Sequence, residues 1–344
     1  MKPPDQPHLP QPGPAAKAFD RRTFLVGSGL IAAGAIGYPM ARRLWRTPQP
    51  VFLAGGQRYD GSLTRTIRDG LEAVGFDFSW VRHRRVLLKP NLVEPARDSP
   101  QMTTHPAVVL AAADVFRRAG ASVLVGEAPA NLRDTELALG ESGLDRALAS
   151  ARLDFADLNY SEVRRVPNAA RCSSLAELFL PREVLQADLV VSLAKLKTHH
   201  WAGFTASLKN LFGTLPGVVY GWPKNMLHIA GIPQTIVDVA ASLPSTIAIV
   251  DGILAMEGDG PILGAAKPLG VVAVGLNLTA VDATLARLIG LDPPRVPYLA
   301  LAEGRLGPIA QRHIPQRGEP WQDLADPLAV LPMPHLEAMR AEKT

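Results

Sequence analysis

Along the chain, short apolar runs alternate with segments in which apolar residues return every three or four positions. The runs at residues 51–54, 86–89, 122–127, 153–158, 189–195, 246–251 and 271–275 predict strands. The periodic segments near 62–74, 106–118, 144–150, 204–212, 232–242, 280–289 and 296–303 predict helices. Within 106–118, Val109, Ala113 and Phe116 form one stripe, with Asp114, Arg117 and Arg118 opposite it. Apolar strands separated by helices imply an α/β fold: a mainly parallel sheet flanked by helices, as a single large domain or two intimate lobes over residues 50–304. Residues 305–344 are Pro-rich, which predicts a tail wrapping the surface before a short helix near 335–341.

The strand ends add chemistry to this outline. Four apolar runs finish on Lys89, Glu127, Lys195 and Asp251. In a parallel sheet those carboxyl ends share one edge, where α/β proteins place their ligands. One polar strand end is accounted for by emergence into water; four, several followed by loops rich in Gly, His and Asn, point to a shared cleft.

Three stretches surround those ends. Residues 194–213 read AKLKTHHWAGFTASLKNLFG. A strand extended through Lys197 sets Lys195 and Lys197 on one face, roughly 7 Å apart, where two ammonium groups suit a carboxylate or phosphate. Thr198, His199 and His200 add a hydroxyl and imidazoles, and a following helix ended by Gly213 returns Lys209 and Asn210 to the same anion. In residues 87–109, Lys89 and Asn91 project from a strand end. Pro106 suits a first helical turn, so His105 or Thr104 caps that helix. Imidazole titrates near neutrality, which makes His199 and His105 the candidate proton carriers. In residues 249–264, Asp251, Glu257 and Asp259 offer carboxylates to a divalent cation or to substrate hydroxyls, at a spacing unlike the twelve-residue calcium loop. His228 adds an imidazole before Gly231, and a helix cap accounts for Thr279 and Asp282.

Charge and cysteine usage remove other classes. The net charge is +4 over 344 residues, but residues 1–46 hold seven Lys/Arg and two Asp. The remaining body is near neutral and offers no surface for nucleic acid. Cys172 is the single cysteine, so this chain alone builds no internal disulfide, cysteine zinc site or iron–sulfur cluster; it reads as a partly buried, inert thiol. Residues 1–19 are Pro-rich and predicted disordered. In residues 20–46, Arg21 and Arg22 precede Thr23, Phe24, Leu25 and a Gly/Ala-rich apolar run. This resembles the twin-arginine signal and implies passage of the folded chain through the twin-arginine translocase, to the periplasm or the outer face of the cytoplasmic membrane. From Thr23 to Ala41 no charge intervenes, roughly 28 Å as a helix. With no clean small-x-small site after it, removal and retention as a membrane tether both stay open.

Together the three stretches resemble the domain-of-unknown-function 362 family of bacteria and archaea. The matching signatures are KPN at Lys89–Asn91, TTHP at Thr103–Pro106, KLKTH at Lys195–His199, LKNLFG at Leu208–Gly213, His228, the stretch from Asp251 to Pro261, and AVDA at 280–283. They fall in order across about residues 85–290. Some members carry ferredoxin-like cysteine clusters; this chain, with Cys172 alone, departs from them, so a redox role would need an iron–sulfur partner. The layout is more loosely similar to the lactate racemase-like family, from which no residue is carried over. The expectation is an exported enzyme acting on a small carboxylate or phosphate through lysine anion binding and histidine acid/base chemistry. The alternatives are a non-catalytic ligand- or cofactor-binding or maturation protein, and a redox-accessory protein.

Overall fold

The strand Leu189–His199 is buried at every position, and the rest of the molecule is arranged about it. In the computed structural model, which describes residues 47–94, 97–129 and 134–342, it is the seventh of eleven strands. The Pro-rich N-terminus and the twin-arginine segment lie outside the described residues. The strands are β1 (Val51–Ala54), β2 (Arg85–Lys89), β3 (Ser122–Glu127), β4 (Phe155–Asp157), β5 (Val163–Pro167), β6 (Glu177–Pro181), β7 (Leu189–His199), β8 (Gly203–Thr205), β9 (Thr246–Glu257), β10 (Ala265–Gly275) and β11 (Gln316–Gly318).

Nine of these form a mixed, mostly parallel sheet in the order β11-β1-β10-β9-β7-β2-β3-β4, with β8 added to β7. β9, β7, β2, β3 and β4 run parallel to one another, while β10 and β8 pair antiparallel with β9 and β7. β5 and β6 make a separate hairpin. Helices cover both faces, which is why the central strands read as continuous apolar runs. On one face, helices Leu63–Ala73, Pro106–Arg118 and Leu144–Ala151 bury Ile67, Val109, Phe116 and Leu148 against Val191, Leu193 and Ile249. On the other, helices Ile232–Ser242, Leu278–Leu288 and Pro297–Ala302 bury Ile236, Val281 and Tyr298 against Ala194, Leu196 and Val250. Among the described residues no helix is long and apolar enough to cross a membrane.

Three local outcomes differ from the sequence expectation. β7, β9 and β10 are longer than their apolar runs, because β8 folds back on the end of β7 and β10 follows β9 to its end. The helix expected over 204–212 shrinks to Ser207–Asn210 and a 3₁₀ turn at Leu211–Thr214. Gly203, at φ +85°, reverses the chain so that Phe204 and Thr205 pair with Thr198 and Lys197. The buried Asp282 carboxylate then accepts the Ser207 and Leu208 N–H groups, at 2.8 and 3.1 Å, and fixes where the helix begins. The β5–β6 hairpin, β11 and the helix Thr135–Ser142 were not expected; β5 carries two arginines and no buried residue, and β6 alternates only over the short run Glu177–Leu180.

Candidate anion-binding site

The four polar strand ends meet in pairs across the carboxyl edge of the sheet. Lys195 and Asp251 are register partners on the parallel strands β7 and β9, and their side chains form a fully buried ion pair at 2.9 Å. Tyr59 joins it, accepting from Lys195 at 2.8 Å and donating to Asp251 at 3.0 Å. The His105 ring stacks on Tyr59 at 3.8 Å. On the next two strands of the sheet, Lys89 of β2 and Glu127 of β3 form the second buried ion pair. Lys89 also donates to Asn210 Oδ1 at 2.9 Å, and Asn91 donates to the same oxygen at 3.0 Å. Lys197 donates to Asn91 Oδ1 and to the Met102 carbonyl, both at 2.8 Å.

Beside this second pair lies a cavity of about 240 Å³. Asn91, Glu127, His199, Lys209, Asn210, Lys224 and His228, with His200 and Thr205, supply its polar lining, and Trp201, Phe212, Pro223, Pro261 and Ile262 much of its apolar wall. Glu127 fits only because residue 213 is glycine: a Cβ there would overlap its Oε1. Lys224, at φ +66°, is buried and donates to the carbonyls of Ala128, Phe212 and Leu215, tying three segments together. Lys209 differs from these. It is largely buried, its Nζ lies 4.3 Å from the centre of the Phe212 ring, and it makes no hydrogen bond or ion pair with any described residue.

Burial sets the protonation of this lining. It pushes Glu127 up to about 7 despite the opposing pull of Lys89 and Lys224. It pushes Lys224 down to about 7, and burial with the neighbouring Lys89 brings Lys209 to about 8. Burial holds His228 near 4 and drives His199 well below the ordinary imidazole range. His199 Nδ1 accepts the Trp201 and Ala202 N–H groups at 3.1 and 3.3 Å, so its neutral ring carries the proton on Nε2. The cavity therefore meets a fixed donor at His199, and its groups that titrate near neutrality are Lys209, Lys224 and Glu127.

This arrangement sorts the residues expected from sequence. Asn91, His199, Lys209, Asn210 and His228 line the cavity, with Lys89 and Lys197 hydrogen-bonded directly behind the two asparagines. Thr104 and Thr198 are framework. Thr104 accepts from Asn91 N–H and donates to the Leu193 carbonyl, and Thr198 donates to the Gly258 carbonyl at 2.9 Å. Lys195 does not converge with Lys197 on one anion: the β7–β9 register shifts between them, and Asp251 and Tyr59 take the Lys195 ammonium. His105 lies with Lys195, Asp251 and Tyr59, away from the cavity, its Nδ1 capping the helix by accepting the Ala107 N–H. Asp251, Glu257 and Asp259 do not assemble a cation site. Glu257 accepts the Ala329 N–H, Asp259 lies 3.8 Å from His200, and no cluster of three or more His, Cys, Asp or Glu among the described residues could hold a metal ion. Asp282 caps the Ser207 helix, not its own. Cys172 is half-buried with its thiol pushed up, in keeping with an inert side chain.

Sequence reasoning did not single out Lys224, Trp201, Phe212 or Tyr59, and met Glu127 only as a strand end. For Lys224 a faint signal existed: a lysine after Pro223 in a Gly-Trp-Pro turn, four residues before His228.

Residues 86–287 match the family described as Domain of unknown function (DUF362). The chain is 34% identical over 267 residues to the Thylakoid-associated protein sll1697 of Synechocystis sp., covering 75% of this chain and 79% of that protein. A solved structure, the lactate racemase apoprotein from Thermoanaerobacterium thermosaccharolyticum, aligns with a TM-score of 0.45 at 14% identity, over 71% of this chain and 58% of that one.

Proposed function

The chain belongs to the DUF362 family, and on that premise we propose that it binds a small anionic molecule in the cavity beside Glu127 and acts on it as an enzyme by proton transfer. The observation that carries the reading is Lys209, a largely buried amine directed at an apolar-walled cavity without a counter-ion among the described residues. A buried ammonium is costly until an anion meets it. A carboxylate or phosphate would accept from Lys209 and from His199 Nε2–H, with Trp201, Phe212 and Pro223 against the apolar remainder. The proton carriers are then Lys209 and Glu127, because both titrate near neutrality where His199 and His228 stay neutral. Lys209→Gln tests the reading. It is expected to weaken binding of malonate at least about tenfold, as loss of a charge-assisted hydrogen bond does, while leaving circular dichroism unchanged. Equal malonate affinity in the variant would overturn it.

The competing reading is a non-catalytic carrier of the same ligand. Native mass spectrometry of the protein from its own host separates the two, since a carrier retains a stoichiometric small molecule and an enzyme of a diffusible substrate does not.

Export by the twin-arginine route is a further part of the proposal, resting on Arg21, Arg22 and the apolar run after them. Replacing both arginines by lysine is expected to hold the protein in the cytoplasm on cell fractionation. Working at a membrane surface is consistent with a relative named as thylakoid-associated. It is also consistent with exposed Trp201 and Leu263, which are or directly follow cavity-lining residues, and with Met226 and Ile229 on the helix that carries His228.

A further inference from the structure

Resting on that anion-site reading, we infer that the ligand presents two negative charges at the buried end of the cavity, as a dicarboxylate or a phosphate monoester does, and that its binding is accompanied by proton uptake. The geometry is one of unbalanced charge. Lys89, Lys197, Lys209 and Lys224 surround the inner end of the cavity, and Glu127 is the single carboxylate among its described lining residues. Lys89 is paired with that carboxylate. Lys197 and Lys224 feel that same carboxylate without forming an ion pair with it, and their hydrogen bonds go to amide and carbonyl oxygens that carry no full charge. Lys209 has neither kind of partner among the described residues. Asp251 does not help, being committed to Lys195 and Tyr59. Asp157, beyond Glu127 at the end of β4, acts on Lys224 more weakly than Glu127 does. The imidazoles facing the same space, His199, His200 and His228, supply no negative charge.

Three ammonium groups without an ion-pair partner, two of them buried and the third largely so, repel one another strongly. A monoanion answers one of them; a dianion answers two in one step and lets the third be met by the existing carbonyls. Without ligand, the same repulsion is relieved by release of protons, in line with the lowered lysines Lys197, Lys209 and Lys224. An incoming dianion favours the ammonium forms and returns a proton to the site by linkage.

Isothermal titration of the full chain with malonate, sulfate and acetate tests this at fixed ionic strength. Malonate and sulfate stay doubly charged across pH 7 to 9, and acetate singly. Malonate or sulfate is expected to bind at least about tenfold more tightly than acetate, and to weaken roughly tenfold as pH rises from 7 to 9. At pH 8 the observed heat should change with the ionisation enthalpy of the buffer, reporting about one proton taken up. A preference for malonate over sulfate identifies carboxylates as the source of the charge, and the reverse a phosphate-like group. Acetate binding as tightly as malonate, or buffer-independent heats, overturns the dianion inference while leaving the anion site standing. Absence of binding by all three, or malonate binding untouched by Lys209→Gln, overturns the anion site itself.

Discussion

The Lys89–Glu127 pair is held by burial as much as by attraction, and each partner is a liability without the other. Lys89→Met alone leaves a carboxylate unpaired in the interior and is expected to cost about 3–5 kcal/mol of unfolding free energy. Adding Glu127→Leu should restore part of that, the remainder being Glu127's lost attraction for Lys197 and Lys224, and chemical denaturation of the two single variants and the double variant measures the coupling. Gly213→Ala should be felt at the same place, since its Cβ would overlap Glu127 Oε1. A loss of about 1–3 kcal/mol is expected, read from the denaturation midpoint. At this scale the sequence disclosed the residues whose position follows from a strand end or its first loop: Lys89, Asn91, His199, Lys209 and Asn210. It could not disclose Lys224, whose role depends on three carbonyls from two other segments and on a left-handed backbone. Nor could alternation along β7 tell that Lys195 would be captured by Tyr59, some 136 residues away.

Among the elements, the parallel strands were legible because burial on both faces leaves a short, unbroken apolar run that a half-exposed helix or strand does not produce. The segment 204–212 was not, because Phe204, Leu208 and Leu211 satisfy a helical stripe equally well. The free edge at the end of β7 decided the matter by pairing with Phe204 and Thr205. The C-terminal tail likewise acts through the elements it binds. Gly258 N–H donates to the Ala329 carbonyl at 2.7 Å, and His335 Nε2 donates to the His200 carbonyl at 2.8 Å, so the tail holds the two loops that wall the cavity. Leu336, buried at 2% exposure, anchors that hold. Leu336→Ala is expected to cost about 2–4 kcal/mol. It should also raise amide hydrogen exchange in residues 199–203 and 257–260 above that of β2 and β3.

For the molecule as a whole, the buried lysines govern how stability responds to pH. Lys224 and Lys209 release their protons near 7 and 8 when folded, whereas free lysine holds its proton to about 10.4. Between those limits the unfolded chain binds more protons, while Glu127, raised to about 7 when folded, acts against the lysines only up to about that pH; stability of the ligand-free protein therefore rises with pH from about 8 to about 9.5. Above about pH 10 the raised Tyr59 hydroxyl acts in the opposite direction, because the unfolded tyrosine loses its proton first. Denaturation midpoints at fixed ionic strength from pH 8 to 9.5 check the rise, and saturating malonate should flatten it.

Asp282 is buried on the long helix Leu278–Leu288, away from the cavity lining, yet it pins the four-residue helix that carries Lys209 and Asn210. Both groups are thus mounted on a short bracket whose first turn is bolted down by one distant carboxylate. Damage to that bolt would register in a ligand assay as though the contact surface had been altered, and a screen for impaired variants would score as a recognition residue one that no ligand ever reaches.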